Sequence, residues 1–171
     1  MIGLDTNVLV RYLTQDDAQQ FQEASALLIG LEKQLRSAYL STVTLCETVW
    51  VLARAYKIDR AQIVEMFVKL LDTRLFVIED KDAVREAVDL YRAGKGDFAD
   101  YLVGVRSRNA GSVTMATFDE ALHAHPDLFS APAAALRKGK GKGKGKGKGK
   151  GKPAASGHGG HRPGGVPGPR R

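Results

Sequence analysis

The feature that most constrains this chain is an alternation. Short apolar runs at residues 1–5, 38–40, 75–78 and 113–116 are separated by longer stretches whose apolar residues recur at helical spacing. A strand that short, followed by a helix, returns beside its predecessor in parallel, and a parallel sheet needs helices to cover it. The expected fold class is therefore α/β, with a central parallel sheet under helices.

The helical stretches carry their own start and stop signals. Asp16 and Asp17 precede a run in which Phe21, Ala24, Leu28 and Leu31 share a face, and either Asp is a good N-cap. Asp59 is placed to cap the helix bearing Ile63, Phe67 and Leu70, and residues 82–92 read as a helix broken by Gly94 and Gly96. Asp97 opens a helix to about Asn109, closed by Gly111. Thr44 to Glu47 fits a capping box, Thr at the N-cap and Glu three residues on. Trp50 sits in an apolar stripe and is expected to pack in the core or against a second copy. The 67–71 segment and the stripe around Val51 offer further surface for such a copy.

Charge separates the chain into two parts. Of its 26 Lys and Arg, eight Lys and three Arg fall in residues 138–171, which hold no acid; the remaining 15 bases face all 19 acids, so the body is net −4 and the tail +11. The overall +7 is a property of the tail and does not describe a basic fold. Residues 1–131 are expected to form one folded domain. Residues 132–171, rich in Lys, Gly and Pro, have almost nothing apolar to bury and are expected to be disordered. Cys46 is the single cysteine, so no internal disulfide can form, as suits a reducing cytoplasm. The first residues lack a basic, then apolar, leader, and no run is long enough to cross a bilayer.

Four acids, Asp5, Glu47, Asp100 and Asp119, fall where such a fold puts the exits of strands or the first turns of helices. Each has an ordinary structural reading as a turn or cap residue. Together they suggest more, because ligands bind at the carboxyl ends of parallel strands. A cluster of carboxylates there makes an oxygen-rich site for a hard divalent cation. Asp97 and Asp100 lie three apart, on one helical face, where their charges oppose each other unless a cation intervenes. His123 and His125 have no partners at zinc spacing. Glu79 and Asp80 read as a cap region outside the cluster.

Four segments carry a family resemblance: Asp5-Thr6-Asn7 after the first strand, Glu47 within Thr-Leu-Cys-Glu-Thr-Val-Trp, Asp97-Phe98-Ala99-Asp100, and Thr117-Phe118-Asp119. In this order and spacing they resemble the PIN-domain family, in particular the VapC-type toxins of bacterial toxin–antitoxin pairs. The resemblance spans about residues 1–130. It implies a three-layer α/β/α sandwich and an endoribonuclease dependent on Mg²⁺ or Mn²⁺. By motif match Asp5, Glu47, Asp100 and Asp119 take the four acidic positions, Asp97 is an accessory acid, and Thr6 orients the first acid. It further implies a cognate antitoxin, RNA as substrate, and a homodimer. The Lys-Gly tail departs from the family pattern.

The acidic body needs local bases to attract RNA, and Arg11, Arg106 and Arg108 are candidates. The tail could bind polyanions without sequence preference, through salt-sensitive phosphate contacts, or have no dedicated role. The competing function is a non-catalytic nucleic-acid-binding or regulatory module in which the acids are only caps. A phosphatase or phospho-receiver domain is disfavoured, because Asp5-Thr6-Asn7 lacks a second acid two residues on.

Overall fold

The computed structural model describes residues 1–140. Three strands, β1 (Ile2–Gly3), β2 (Ala38–Leu40) and β3 (Phe76–Ile78), form a parallel sheet in the order β1-β2-β3. Ile2 pairs with Ala38, Ala38 with Phe76, and Leu40 with Ile78. Two further strands, β4 (Met115–Ala116) and β5 (Phe129–Ser130), pair in parallel as a separate two-stranded ladder. The 113–116 run thus forms a strand, but not one hydrogen-bonded into the ladder of the other three. β3 is an edge strand of its ladder, and Val77 faces outward from it.

Among the described residues, seven helices cover the strands in a three-layer α/β/α sandwich: α1 (Thr6–Thr14), α2 (Ala18–Lys33), α3 (Thr42–Arg54), α4 (Arg60–Asp72), α5 (Lys81–Ala93), α6 (Phe98–Asn109) and α7 (Pro132–Lys140). Several starts follow directly from the sequence. The Asp17 carboxylate accepts from the Gln20 amide and that of Asp59 from the Gln62 amide, each at 2.9 Å. A bond of this kind replaces water on one of the unpartnered amides of a first turn.

Two expectations fail in instructive ways. Helix α3 starts at Thr42, with Ser41 as its N-cap, the Ser41 hydroxyl accepting from the Thr44 amide at 3.0 Å. Thr44 is therefore inside the helix and Glu47 is beyond its first turn. The expected capping box does not form, because a serine three residues earlier reaches the free amides first. The folded part also runs past residue 131. Helix α7 continues it to Lys140 and packs on β4. Residues 141–171, the rest of the expected disordered tail, lie outside the described residues.

The core sits between sheet and helices around Leu40, Leu45, Leu52, Phe67, Tyr101 and Phe129, all essentially inaccessible. Phe67, Leu70 and Leu71 are buried here, so they are not available to a second copy as the sequence suggested. Trp50 does not join this core. It is 61% exposed on the outer side of α3, opposite Leu45 and Leu52. Helix α6 lies so close to β5 that a Cβ on Gly104 would stand 2.3 Å from the Phe129 ring. Only glycine allows that approach.

Candidate acidic site at the sheet edge

Asp5 and Asp119 follow strands, Glu47 lies in the second turn of the helix after β2, and Asp97 and Asp100 lie at the start of α6. Asp5 follows β1 and occupies the N-cap of α1, with the extended backbone of a cap but no capping bond from its side chain. Its only side-chain partner among the described residues is the Asn7 amide, at 3.5 Å. Thr6, buried at the start of α1, donates its hydroxyl to Glu47 Oε2 at 2.6 Å. That bond ties the exit of β1 to the second turn of α3. Thr6 therefore orients Glu47, where the sequence reading had it orienting Asp5.

Asp97 and Asp100 enter from a third direction. The turn before them is pinned on both sides. Arg60 Nη1 donates to the Tyr91 and Gly94 carbonyls, each at 2.7 Å, and its guanidinium lies 4.1 Å from the Tyr91 ring centroid. These bonds satisfy carbonyls at the end of α5 that lack helical partners, and the stacking adds a cation–π contact. From the other side the Tyr101 hydroxyl accepts from the Gly96 amide at 3.1 Å. Asp97 is the N-cap of α6 and, like Asp5, makes no capping bond.

Asp100 stands three residues further, half-buried in the first turn of α6. Burial pushes its carboxyl above the ordinary range. The neighbouring charge of Asp97 pushes the same way, the Asp97 backbone amide opposes, and Asp119 adds a smaller upward push. Asp100 thus feels both its helix neighbour Asp97 and Asp119, which comes from a separate segment. Asp119 follows β4, and its Oδ1 accepts from the Ala121 amide at 2.8 Å, capping a 3-10 helix at Glu120–Ala124. Cys46, next to Glu47 on α3, senses Asp100 across the gap between α3 and α6, though burial is the main reason its thiol is raised.

Among the described residues, no three His, Cys, Asp or Glu side chains stand close enough together to hold a metal ion as placed. Glu47 accepts from the Thr6 hydroxyl and Asp119 from the Ala121 amide. The donor chemistry nevertheless fits a hard divalent cation. Every candidate is a carboxylate, and neither Asp5 nor Asp97 makes a capping bond, so oxygen donors are free for such an ion.

Of the arginines expected to draw RNA, two are engaged elsewhere. Arg11 bonds Asp16, Gln20 and Tyr56, and Arg108 holds Glu86 with two bonds of 2.7 and 2.6 Å. Arg106 donates to the Thr42 hydroxyl at 2.8 Å and faces Asp80 at 3.3 Å. Two aromatic side chains border the acids in the open: Trp50, one turn beyond Glu47, and Phe118, 90% exposed beside Asp119. The sequence reading missed the roles of Ser41, Thr42 and Glu79. Their one legible signal was a Ser-Thr pair directly after a strand.

This combination, a parallel sheet under helices with acids at the start of α1, on α3, at the start of α6 and after β4, defines a class. The PIN domain pattern matches residues 2–128, and the chain belongs to the PIN-domain family. Within it, the chain is similar to a VapC ribonuclease from Aquifex aeolicus (strain VF5), with 28% identity over 115 residues, 67% of this chain and 84% of the relative. Among the described residues no helix is long and apolar enough to cross a membrane.

Proposed function

We propose that this chain is a metal-dependent endoribonuclease and the toxin of a type II toxin–antitoxin pair, acting in the cytoplasm as a homodimer restrained by a cognate antitoxin. The observation that carries the reading is the state of Asp5 and Asp97. Both occupy N-cap positions and neither makes a capping bond. A capping bond contributes about 1 kcal/mol to a helix, so two carboxylates that forgo it beside a disfavoured Asp100 point to another ligand. Similarity to a VapC ribonuclease supplies the reaction class.

Asp5, Asp100, Glu47 and Asp119 would hold Mg²⁺ or Mn²⁺, with Asp97 accessory. The ion, when bound, acidifies a water and neutralises charge on the scissile phosphate. Thr6 keeps Glu47 in one orientation, so that carboxylate needs little reordering to act. The positive ends of α1 and α6 lie at Asp5 and at Asp97 and Asp100, which lessens the cost of holding several carboxylates together before a cation arrives. The Lys-Gly tail would add salt-sensitive attraction for RNA phosphates to a body that is net acidic.

The test is incubation of the purified full chain with total cellular RNA, with Mg²⁺, Mn²⁺ or EDTA, followed by mapping of cut ends. Cleavage that EDTA abolishes and Mn²⁺ restores is expected. It should vanish in a folded Asp5→Asn variant. RNA bound but left intact under every metal condition would instead identify a non-catalytic binding module.

A further inference from the structure

Two acids at the end of β3 have no part in the reaction proposed above, yet one of them, Glu79, accepts two bonds through a single oxygen. The Glu79 amide donates to the Leu40 carbonyl at 2.9 Å, anchoring the residue to the sheet. Its Oε2 accepts both the amide and the hydroxyl of Thr42, each at 2.7 Å. Thr42 opens α3 and is only 4% exposed. A hydroxyl has one proton, here given to Glu79, and its lone pair receives Arg106 Nη1 of α6 at 2.8 Å. One oxygen atom therefore joins the end of β3, the start of α3 and the body of α6.

The fourth member has an unusual conformation. Asp80 stands at the N-cap of α5 in the left-handed region, φ 51° and ψ 48°, and makes no capping bond. A non-glycine residue held there costs about 1 kcal/mol or more. Its carboxylate lies toward Arg106 Nε, at 3.3 Å. The corner thus gives up a cap and accepts backbone strain while Arg106 is held on two sides.

We infer that the Glu79–Thr42–Arg106 chain is a brace that sets the spacing of α3 against α6, and that these three are positioning residues for the acids on those helices. The inference rests on the ribonuclease reading for its consequence, though not for its geometry. Glu47 follows Thr42 on α3, and Asp100 precedes Arg106 on α6, each by less than two turns, or roughly 7.5 and 9 Å along the axis. Displacements of about 1 Å in a reacting constellation can lower rates by about a hundredfold. Residues that orient metal-binding side chains typically change metal affinity or activity by about 10- to 100-fold when removed. Glu79 is suited to the part, because the Thr42 amide and hydroxyl hold its carboxyl below the usual range, so it stays an acceptor at neutral pH.

Thr42→Val keeps the shape and deletes the hydroxyl. It should lower kcat by about 10-fold or more with KM little changed, and weaken binding of Mn²⁺ alone, read by electron paramagnetic resonance, by about 10-fold. Thr42→Ser, which keeps the hydroxyl, should restore most of both. Asp59→Ala is the matched control. It removes the α4 cap, far from the acids in the chain, and should lower the melting temperature comparably without touching kcat. If Thr42→Val harms kcat and Mn²⁺ binding no more than Asp59→Ala does, the brace is overturned. If the natural chain neither cuts RNA nor binds Mn²⁺, the ribonuclease reading fails separately. The brace is then read from a nitroxide pair at Ala55→Cys and Asn109→Cys in a Cys46→Ala background. Thr42→Val should broaden or shift the α3–α6 distance distribution, and an unchanged distribution would overturn the brace on its own terms.

Discussion

Two groups of acids stand on the same edge of this molecule and behave in opposite ways. At the end of β3, Glu79 holds two bonds from Thr42 and Asp80 faces Arg106. There the Glu79 carboxyl falls below its ordinary range, because donors surround the charged form. Near the end of β1 and the start of α6, Asp5 and Asp97 lack capping bonds and the Asp100 carboxyl is raised by burial and by Asp97. The residue types are the same and both groups lie near helix starts. The difference is the partner, which the protein supplies at one corner and leaves open at the other.

The sharpest way to break that contrast is to neutralise one acid from each group. Asp100→Asn should abolish RNA cleavage, a loss of at least about a thousandfold if the carboxylate is part of the metal-binding set. It should leave the melting temperature unchanged or slightly raised, because it removes repulsion from Asp97 and Asp119. Cleavage assays and thermal melts on the same preparation check both halves. A folded Asp100→Asn protein that still cut RNA at the natural rate would mean the open acids are not reactive. Glu79→Ala should show the reverse balance on stability. It strips α3 of an acceptor at its first amide and should cost about 1 kcal/mol, a fall of a few degrees in melting temperature.

A third acid separates the groups by pH. Asp16 is held by Arg11, then by Thr14, with Tyr56 a weaker contributor, and its carboxyl is lowered to about 2. A carboxyl lowered in the folded state contributes stability above its unfolded value near 3.8, and that contribution is lost as the pH falls toward 2. The natural protein should therefore lose stability through this window. Asp16→Asn should flatten that part of the curve when denaturant midpoints are measured against pH. An unchanged acid limb would show that the knot among Arg11, Asp16 and Tyr56 is not formed in solution.

Much of this architecture was legible in the sequence, and the gaps have physical causes. Ala38–Leu40 and the Asp17 and Asp59 caps could be placed because one local signal was enough for each. The start of α3 was misplaced because Ser41, Thr42 and Thr44 are all competent caps, and only the end of β2 decides which is used. β5 is two residues long, too short for any periodicity. Trp50 was left between the core and a second copy because a helical stripe shows which residues share a face and not which face is covered, and the structure leaves it outside the core. The acids were found as a set, yet their sorting into satisfied and open groups needed the long-range partners: Thr42 lies 37 residues from Glu79, and Arg106 a further 64 from Thr42.

The smallest effect is expected where the geometry looks best. Arg108 grips Glu86 with two parallel bonds, each residue about 40% exposed, and stands two residues from Arg106 on the same helix. Water and salt screen such a pair, so a double-mutant cycle with Arg108→Gln and Glu86→Gln should give a coupling of about 0.2–1 kcal/mol. It should shrink further in molar salt. The Arg106–Thr42 bond, with one partner buried, should keep its effect on α3 in the same salt. Equal salt sensitivity of the two arginines would show that Arg106 acts as one more surface charge, and the division between braced and open acids would then rest on Glu79 and Thr42 alone.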